Sequence, residues 1–133
     1  MKKAVLAIVF LLLGITFVGC NKSEKSEAKV VSPQEVQALI QLNNVQLIDV
    51  RTPKEFKEGH IKDAQNIDFL SSTFTEDIKT LDKEKPIIVY CRSGRRSANS
   101  TKKLQEAGFT EIYDLEGGIL KWEQEGFDVT KSL

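Results

Sequence analysis

The chain has 133 residues, equal numbers of basic and acidic side chains, 41% hydrophobic residues and 29% charged residues. That length holds one ordinary globular domain and little else. Zero net charge lacks the basic excess that nucleic-acid binding draws on, and two distant cysteines, Cys20 and Cys91, make neither a disulfide framework nor a paired zinc-ligand pattern.

Lys2 and Lys3 precede the apolar run Ala4 to Val18, and Gly19 and Cys20 follow it. A basic start, an apolar core and a small residue before the cut describe a secretory signal. The run is shorter than the about 20 apolar residues a membrane-spanning helix needs. Phe17-Val18-Gly19-Cys20 resembles the lipobox of bacterial lipoproteins, with Phe17 where leucine is usual. That resemblance implies a signal peptide over residues 1–19, a lipid on Cys20, and a place in the bacterial cell envelope on the periplasmic or extracellular side. Pairing of Cys20 with Cys91 is the competing reading, and it would consume a thiol that arginines surround. Losing Lys2 and Lys3 leaves the mature chain slightly acidic. Asn21 to Lys29 has no hydrophobic residue except Ala28, so residues 20–31 read as a flexible tether and 32–133 as the folded domain.

Ser32-Pro33-Gln34-Glu35 is a capping box with proline at the first helical position, and Val36, Leu39 and Ile40 mark one face of the helix that follows. Val45 to Val50 reads as a short apolar strand. Thr52-Pro53-Lys54-Glu55 repeats the cap-and-proline signal and opens a brief helix ending at Gly59. A short strand is predicted near Asn66-Ile67. Phe74, Ile78 and Leu81 have helical spacing and predict a helix over 69–81. Ile87 to Tyr90 reads as a fully buried strand, Ser97 to Ala107 as a helix, Glu111 to Leu115 as a strand and Ile119 to Glu125 as a last helix. Short apolar strands alternating with helices predict an α/β sandwich, a mostly parallel sheet covered by helices on both faces. Ligands of such sheets sit beyond the carboxyl ends of strands, where Asp49 and Cys91 fall.

The chain has four arginines, Arg51, Arg92, Arg95 and Arg96, and three lie within five residues of Cys91. Permanent positive charge, a helix N-terminus and a curling Gly94 all favour a thiolate at Cys91. The bland alternative is a buried structural cysteine at a strand end. Loop length separates two chemistries. Cysteine phosphatases have a Cys-x5-Arg ring of amides around a phosphate, but here position 97 is Ser97 and the spacing is Cys-x4-Arg, Cys91 to Arg96. A ring one residue shorter leaves room for one added sulfur atom, not a phosphoryl group.

Cys91-Arg92-Ser93-Gly94-Arg95-Arg96-Ser97 resembles the active-site loop of the rhodanese family of sulfurtransferases. Asp49-Val50-Arg51 with Glu55-Phe56, Gly59-His60-Ile61, Ala64 and Asn66-Ile67 resembles that family's upstream signature, and Leu115-Glu116-Gly117-Gly118 with Trp122 its C-terminal one. The resemblance covers nearly all of residues 32–129 as a single domain. It implies a rhodanese-like three-layer fold and a persulfide on Cys91 that carries sulfur from a small anionic donor such as thiosulfate to cyanide or a thiol, with no metal or organic cofactor. Arg92 and Arg95 are then expected at the mouth, and Arg96 turned inward onto Asp49. Ser97 either donates to the sulfur or caps the helix, and Arg51 either braces the strand end or serves the site. His60 is expected in a structural turn rather than as a base, and Trp122 in the core. Competing readings are a persulfide carrier or sulfur sensor docking to an envelope protein, a phosphatase or arsenate reductase, and an inactive scaffold. The enzyme reading expects the thiol to be open to solvent.

Overall fold

The computed structural model describes residues 26–132, so the predicted signal segment and Cys20 lie outside the described residues. Five strands, β1 (Lys29–Val31), β2 (Gln46–Asp49), β3 (Gln65–Asn66), β4 (Ile87–Tyr90) and β5 (Ile112–Leu115), form one sheet in the order β1-β5-β4-β2-β3. Every pairing is parallel. Helices α1 (Pro33–Gln41), α2 (Pro53–Glu58), α3 (Phe74–Asp77), α4 (Arg95–Glu106) and α5 (Gly118–Gln124) interleave with the strands.

The central strand β4 is buried along its whole length, which is why Ile87-Ile88-Val89-Tyr90 shows no polar alternation. Successive side chains go to opposite faces. Ile87, Val89 and Cys91 join Ile48, Val50 and Ile112 against Phe74, Ile78 and Leu104 of the α3–α4 side. Ile88 and Tyr90 join Leu47 and Leu115 against Val36, Ile119 and Trp122 of α1 and α5. Each such branched side chain stabilises the fold by about 1.5–3 kcal/mol. Both predicted capping boxes form, Ser32 with Glu35 and Thr52 with Glu55, each with proline opening the helix.

Three expectations are corrected. Lys29–Val31, inside the stretch expected as tether, is the edge strand β1, paired with β5. Three residues with Val30 66% exposed are too few to leave a periodic signal. The helix expected over 69–81 shrinks to α3 and a 3-10 turn at Ile78–Thr80. Asp68 and Ser71 side chains there accept from the Leu70 and Thr73 N–H groups, local bonds that compete with helix. Finally, α4 begins at Arg95 rather than Ser97, because Gly94 at φ 110° makes the turn that starts it.

Tyr90 ties the end of β4 to the turn that follows α2. Its hydroxyl accepts the Ile61 N–H at 3.0 Å inside the core, and burial holds its phenol far above the usual range, hence neutral. Tyr90→Phe strands that N–H without a partner. The expected cost is about 1–3 kcal/mol in urea unfolding, with an unchanged m-value.

Candidate active site

β4 ends at Tyr90, and Cys91 is the first residue beyond it. The loop that follows folds back on the sulfur. The Gly94 N–H donates to Sγ at 3.1 Å, and the thiol reaches Ser97 Oγ at 3.5 Å. Ser97 lies in the first turn of α4, and its hydroxyl donates to the Gly94 carbonyl at 3.2 Å. It therefore faces the sulfur, while Gly94 holds the cap position. Burial pushes the thiol up. The Ser97 hydroxyl and the N–H groups of Ser97, Gly94 and Ser93 outweigh it, and Cys91 sits below its ordinary value. Of the three expected causes, the N–H groups at the helix start and in the Gly94 curl are the ones that act, and the arginines are not among the groups that lower it.

Cys91 is 1% exposed, against the expectation of an open thiol. The reason is the tight loop: the sulfur faces the loop's own N–H groups and lies on the floor they make. Two features close that floor from the other side. Ile119 N–H donates to the Cys91 carbonyl at 2.9 Å, and Leu120 N–H to the Arg92 carbonyl at 3.2 Å. The start of α5 is thus clamped to the loop.

The arginines divide by role. Arg92 and Arg95 are exposed, and among the described residues neither enters an ion pair. Arg96 grips Glu55 with both terminal guanidinium nitrogens at 2.8 Å each. This corrects the expected Arg96–Asp49 pair. Asp49 is fully buried and already taken by Arg51, whose Nε lies 3.0 Å from both carboxylate oxygens and whose second terminal nitrogen lies 2.6 Å from Oδ2. The Arg51 N–H adds a 2.9 Å bond, and its guanidinium also reaches the Gly59 carbonyl at 2.6 Å. Two residues apart at one strand end, Asp49 and Arg51 close a local ring that α4 cannot enter. Asn66 staples the same turn by donating to the Asp49 and Arg51 carbonyls. Asp49 and Arg51 are therefore braces behind the loop.

Glu55 was missed as a site residue. Its place in a capping box is legible in Thr52-Pro53-Lys54-Glu55, but its partner is 41 residues away. One carboxylate thus caps α2 and holds the arginine of α4. The Arg96 hydrogen bonds, against burial and with help from Thr52, bring Glu55 down to about 2. The folded value is depressed, so the stabilisation is complete above pH about 4.5 and is lost as pH falls toward about 2. Both side chains are partly exposed, 22% and 27%. Screening trims the effect, and Glu55→Gln is expected to cost about 1–3 kcal/mol at neutral pH. Unfolding measured from neutral pH to pH 3 should show the difference from wild type shrinking; a constant difference would remove the pair as its cause.

His60 stacks on Phe56 at 3.8 Å, with Nδ1 2.8 Å from the Phe56 carbonyl. Its backbone pairs with Thr130, so it holds a turn, as expected. Trp122 is buried and donates to the Asp128 carbonyl at 3.0 Å. A shallow cleft of about 210 Å³ beside the loop is lined by Arg92, Leu120, Glu55, Glu58 and Glu123. A larger one of about 700 Å³ lies at the far end of α4 among Lys102, Gln105 and Phe109, remote from the thiol.

Residues 32–125 match the rhodanese-like domain. The chain belongs to the rhodanese family. It is 33% identical over 97 residues to thiosulfate sulfurtransferase GlpE of Pseudomonas syringae pv. syringae, covering 73% of this chain and 89% of that protein. The crystal structure of a rhodanese-related protein from Thermoplasma volcanium matches with a TM-score of 0.70 at 32% identity, over 78% of this chain and 99% of that one. The solution structure of the polysulfide-sulfur transferase homodimer from Wolinella succinogenes matches at 0.67 and 34% identity, over 81% and 82%. The rhodanese span contains both capping boxes, the Cys91 loop and the glycine pair that clamps it.

Proposed function

We propose that this rhodanese moves a sulfane sulfur from a small anionic donor such as thiosulfate to a nucleophilic acceptor, through a persulfide on Cys91. The observation that carries the reading is the convergence of backbone N–H groups and the Ser97 hydroxyl on a single sulfur, with the thiol drawn below its ordinary value. The Cys91 thiolate attacks the outer sulfur of the donor, the sulfur–sulfur bond of thiosulfate breaks, and sulfite leaves. The acceptor, a thiol or cyanide, then attacks the outer sulfur of the persulfide, and the Cys91 thiolate leaves. Two half-reactions through one covalent intermediate give ping-pong kinetics. Exposed Arg92 and Arg95 draw the donor anion to the loop.

The enclosure of Cys91 suits a donor that presents one protruding atom. Arg96, the arginine at the Cys-x4-Arg position, is committed to Glu55 and so does not turn a free guanidinium fork onto oxygens bound at the sulfur. The likeness to a thiosulfate sulfurtransferase supports the same choice of donor. Wild-type protein treated with thiosulfate should gain one sulfur atom in intact mass and lose it to cyanide, with parallel double-reciprocal plots at steady state. No added sulfur would sink the reading. Loading once without turnover would favour a carrier module instead.

We also propose that Cys20 carries a lipid that holds the domain in the cell envelope. The basic, apolar and Gly19-Cys20 sequence supports it. Labelling with a fatty acid in the native host, lost in Cys20→Ser, tests this.

A further inference from the structure

Three unmatched charges share the cleft of about 210 Å³ beside the Cys91 loop: Arg92, Glu58 and Glu123. All three are exposed, and among the described residues none enters an ion pair. The other charges on the wall are settled, because Asp49 holds Arg51 and Glu55 holds Arg96. Helix spacing explains the placement. Glu55 and Glu58 lie three apart on α2, and Leu120 and Glu123 three apart on α5, so each pair shares a face. Leu120, 43% exposed, adds an apolar part to the wall. Arg92 is thus in one cleft with two carboxylates and in contact with neither. Opposite charges held apart across open space suit a molecule that carries both charges itself.

The cleft abuts the loop at both ends. Arg92 follows Cys91 directly, and its carbonyl accepts the Leu120 N–H at 3.2 Å. Glu55, on the α2 wall, holds Arg96 at the far end of the loop. The sulfur itself does not line the cleft and lies on the floor of the loop. A donor has to reach that floor. An acceptor has to reach only the outer sulfur of the persulfide, which stands about 2 Å beyond Sγ. Glu58 and Glu123 repel an anionic donor, so the cleft belongs to the second half-reaction. Its volume falls below the about 300–1,000 Å³ of sites for drug-sized ligands, and this limits the acceptor to a small molecule.

We propose that this cleft is the acceptor subsite and that it selects a small α-amino-acid thiol, such as free cysteine. The carboxylate meets Arg92, the ammonium meets Glu58 and Glu123, and the thiol points over the rim to the persulfide. This rests on the persulfide reading of Cys91 above. The acceptor thiol gives its proton to water, and its thiolate forms a bond to the outer sulfur. The sulfur–sulfur bond of the Cys91 persulfide breaks, and its electron pair leaves with Cys91 as thiolate. The product is the persulfide of the amino acid. One sulfane sulfur passes between two thiols, with no net oxidation and no further reactant.

The test uses the full chain loaded with sulfane sulfur from thiosulfate, or from inorganic polysulfide if thiosulfate adds none. Discharge is followed on the alkylated Cys91 peptide by mass, so that Cys20 does not enter. Four thiols are compared: cysteine with both charges, cysteamine with the ammonium alone, β-mercaptopropionate with the carboxylate alone, and neutral β-mercaptoethanol. Each rate is divided by the same protein's rate with β-mercaptoethanol. In the double variant Glu58→Gln, Glu123→Gln the cysteine and cysteamine ratios should fall several-fold, while the β-mercaptopropionate ratio rises. In Arg92→Gln the cysteine and β-mercaptopropionate ratios should fall, while the cysteamine ratio rises. High salt should flatten these differences in wild type. A merely structural role would move all four thiols together and leave the ratios alone. A cysteine ratio unchanged in either variant would overturn the proposal. Loading from polysulfide but not thiosulfate defeats the choice of donor and leaves the ratios to judge the cleft. Loading from neither overturns both.

Discussion

Cys91→Ser is expected to bring sulfur transfer down to the uncatalysed background while the fold survives. The hydroxyl of serine is somewhat smaller, accepts the Gly94 N–H and donates to Ser97 Oγ as the thiol does, so unfolding free energy should change by about 1 kcal/mol or less. What disappears is the anion. A hydroxyl does not ionise under the pull of a few amides, and an alkoxide forms no stable bond to a sulfane sulfur comparable to a persulfide. Thiosulfate should add nothing to the mass of the variant, and cyanolysis should match the buffer blank. Transfer that persists in Cys91→Ser would place the nucleophile elsewhere and dismantle the proposed chemistry.

Gly118→Ala is expected to cost about 3–4 kcal/mol and to take most of the activity with it. Gly118 sits at φ 60°, and a Cβ there would lie 2.5 Å from the carbonyl oxygens of both Cys91 and Arg92. Those are backbone atoms of the loop and cannot swing aside as a side-chain tip does. Either α5 backs away and the Ile119 and Leu120 bonds to the loop are lost, or the loop itself moves and its N–H groups leave the sulfur. Gly126→Ala is the matched control. Its φ of 88° carries the left-handed penalty of about 1–2 kcal/mol, but nothing lies within 4 Å of the added carbon. Thermal unfolding and cyanolysis of both variants separate the two effects. Equal losses in the pair would mean that the clamp on the loop contributes nothing beyond backbone strain.

The contrast between these residues shows what a chain of this kind discloses before it folds. The central strand, the two capped helices and the Cys91 loop were legible because each signal is contiguous: an apolar run, a cap with its proline, a cysteine among arginines. The fold class followed from their alternation. Glu55 was half legible, since its cap is local and its grip on Arg96 spans the domain. The proposed Arg96–Asp49 pair failed for the same reason: charge complementarity names a possible partner, but only the fold decides that Arg51 reaches Asp49 first. The glycine pair was read as a turn, and the close approach of Gly118 to the loop carbonyls has no signature in the residue itself. β1 escaped because it borrows its regularity from β5 rather than from its own three residues.

That borrowed edge strand fixes the polarity of the domain. β1 runs parallel to β5 and β4, with Lys29 level with Tyr113 and Tyr113 level with Ile88. The polypeptide therefore enters the sheet from the pole opposite the one where Cys91 emerges, and Lys29 stands about 10 Å short of it along the strand direction. Under the lipid attachment proposed for Cys20, the pull would fall on the pole opposite Cys91.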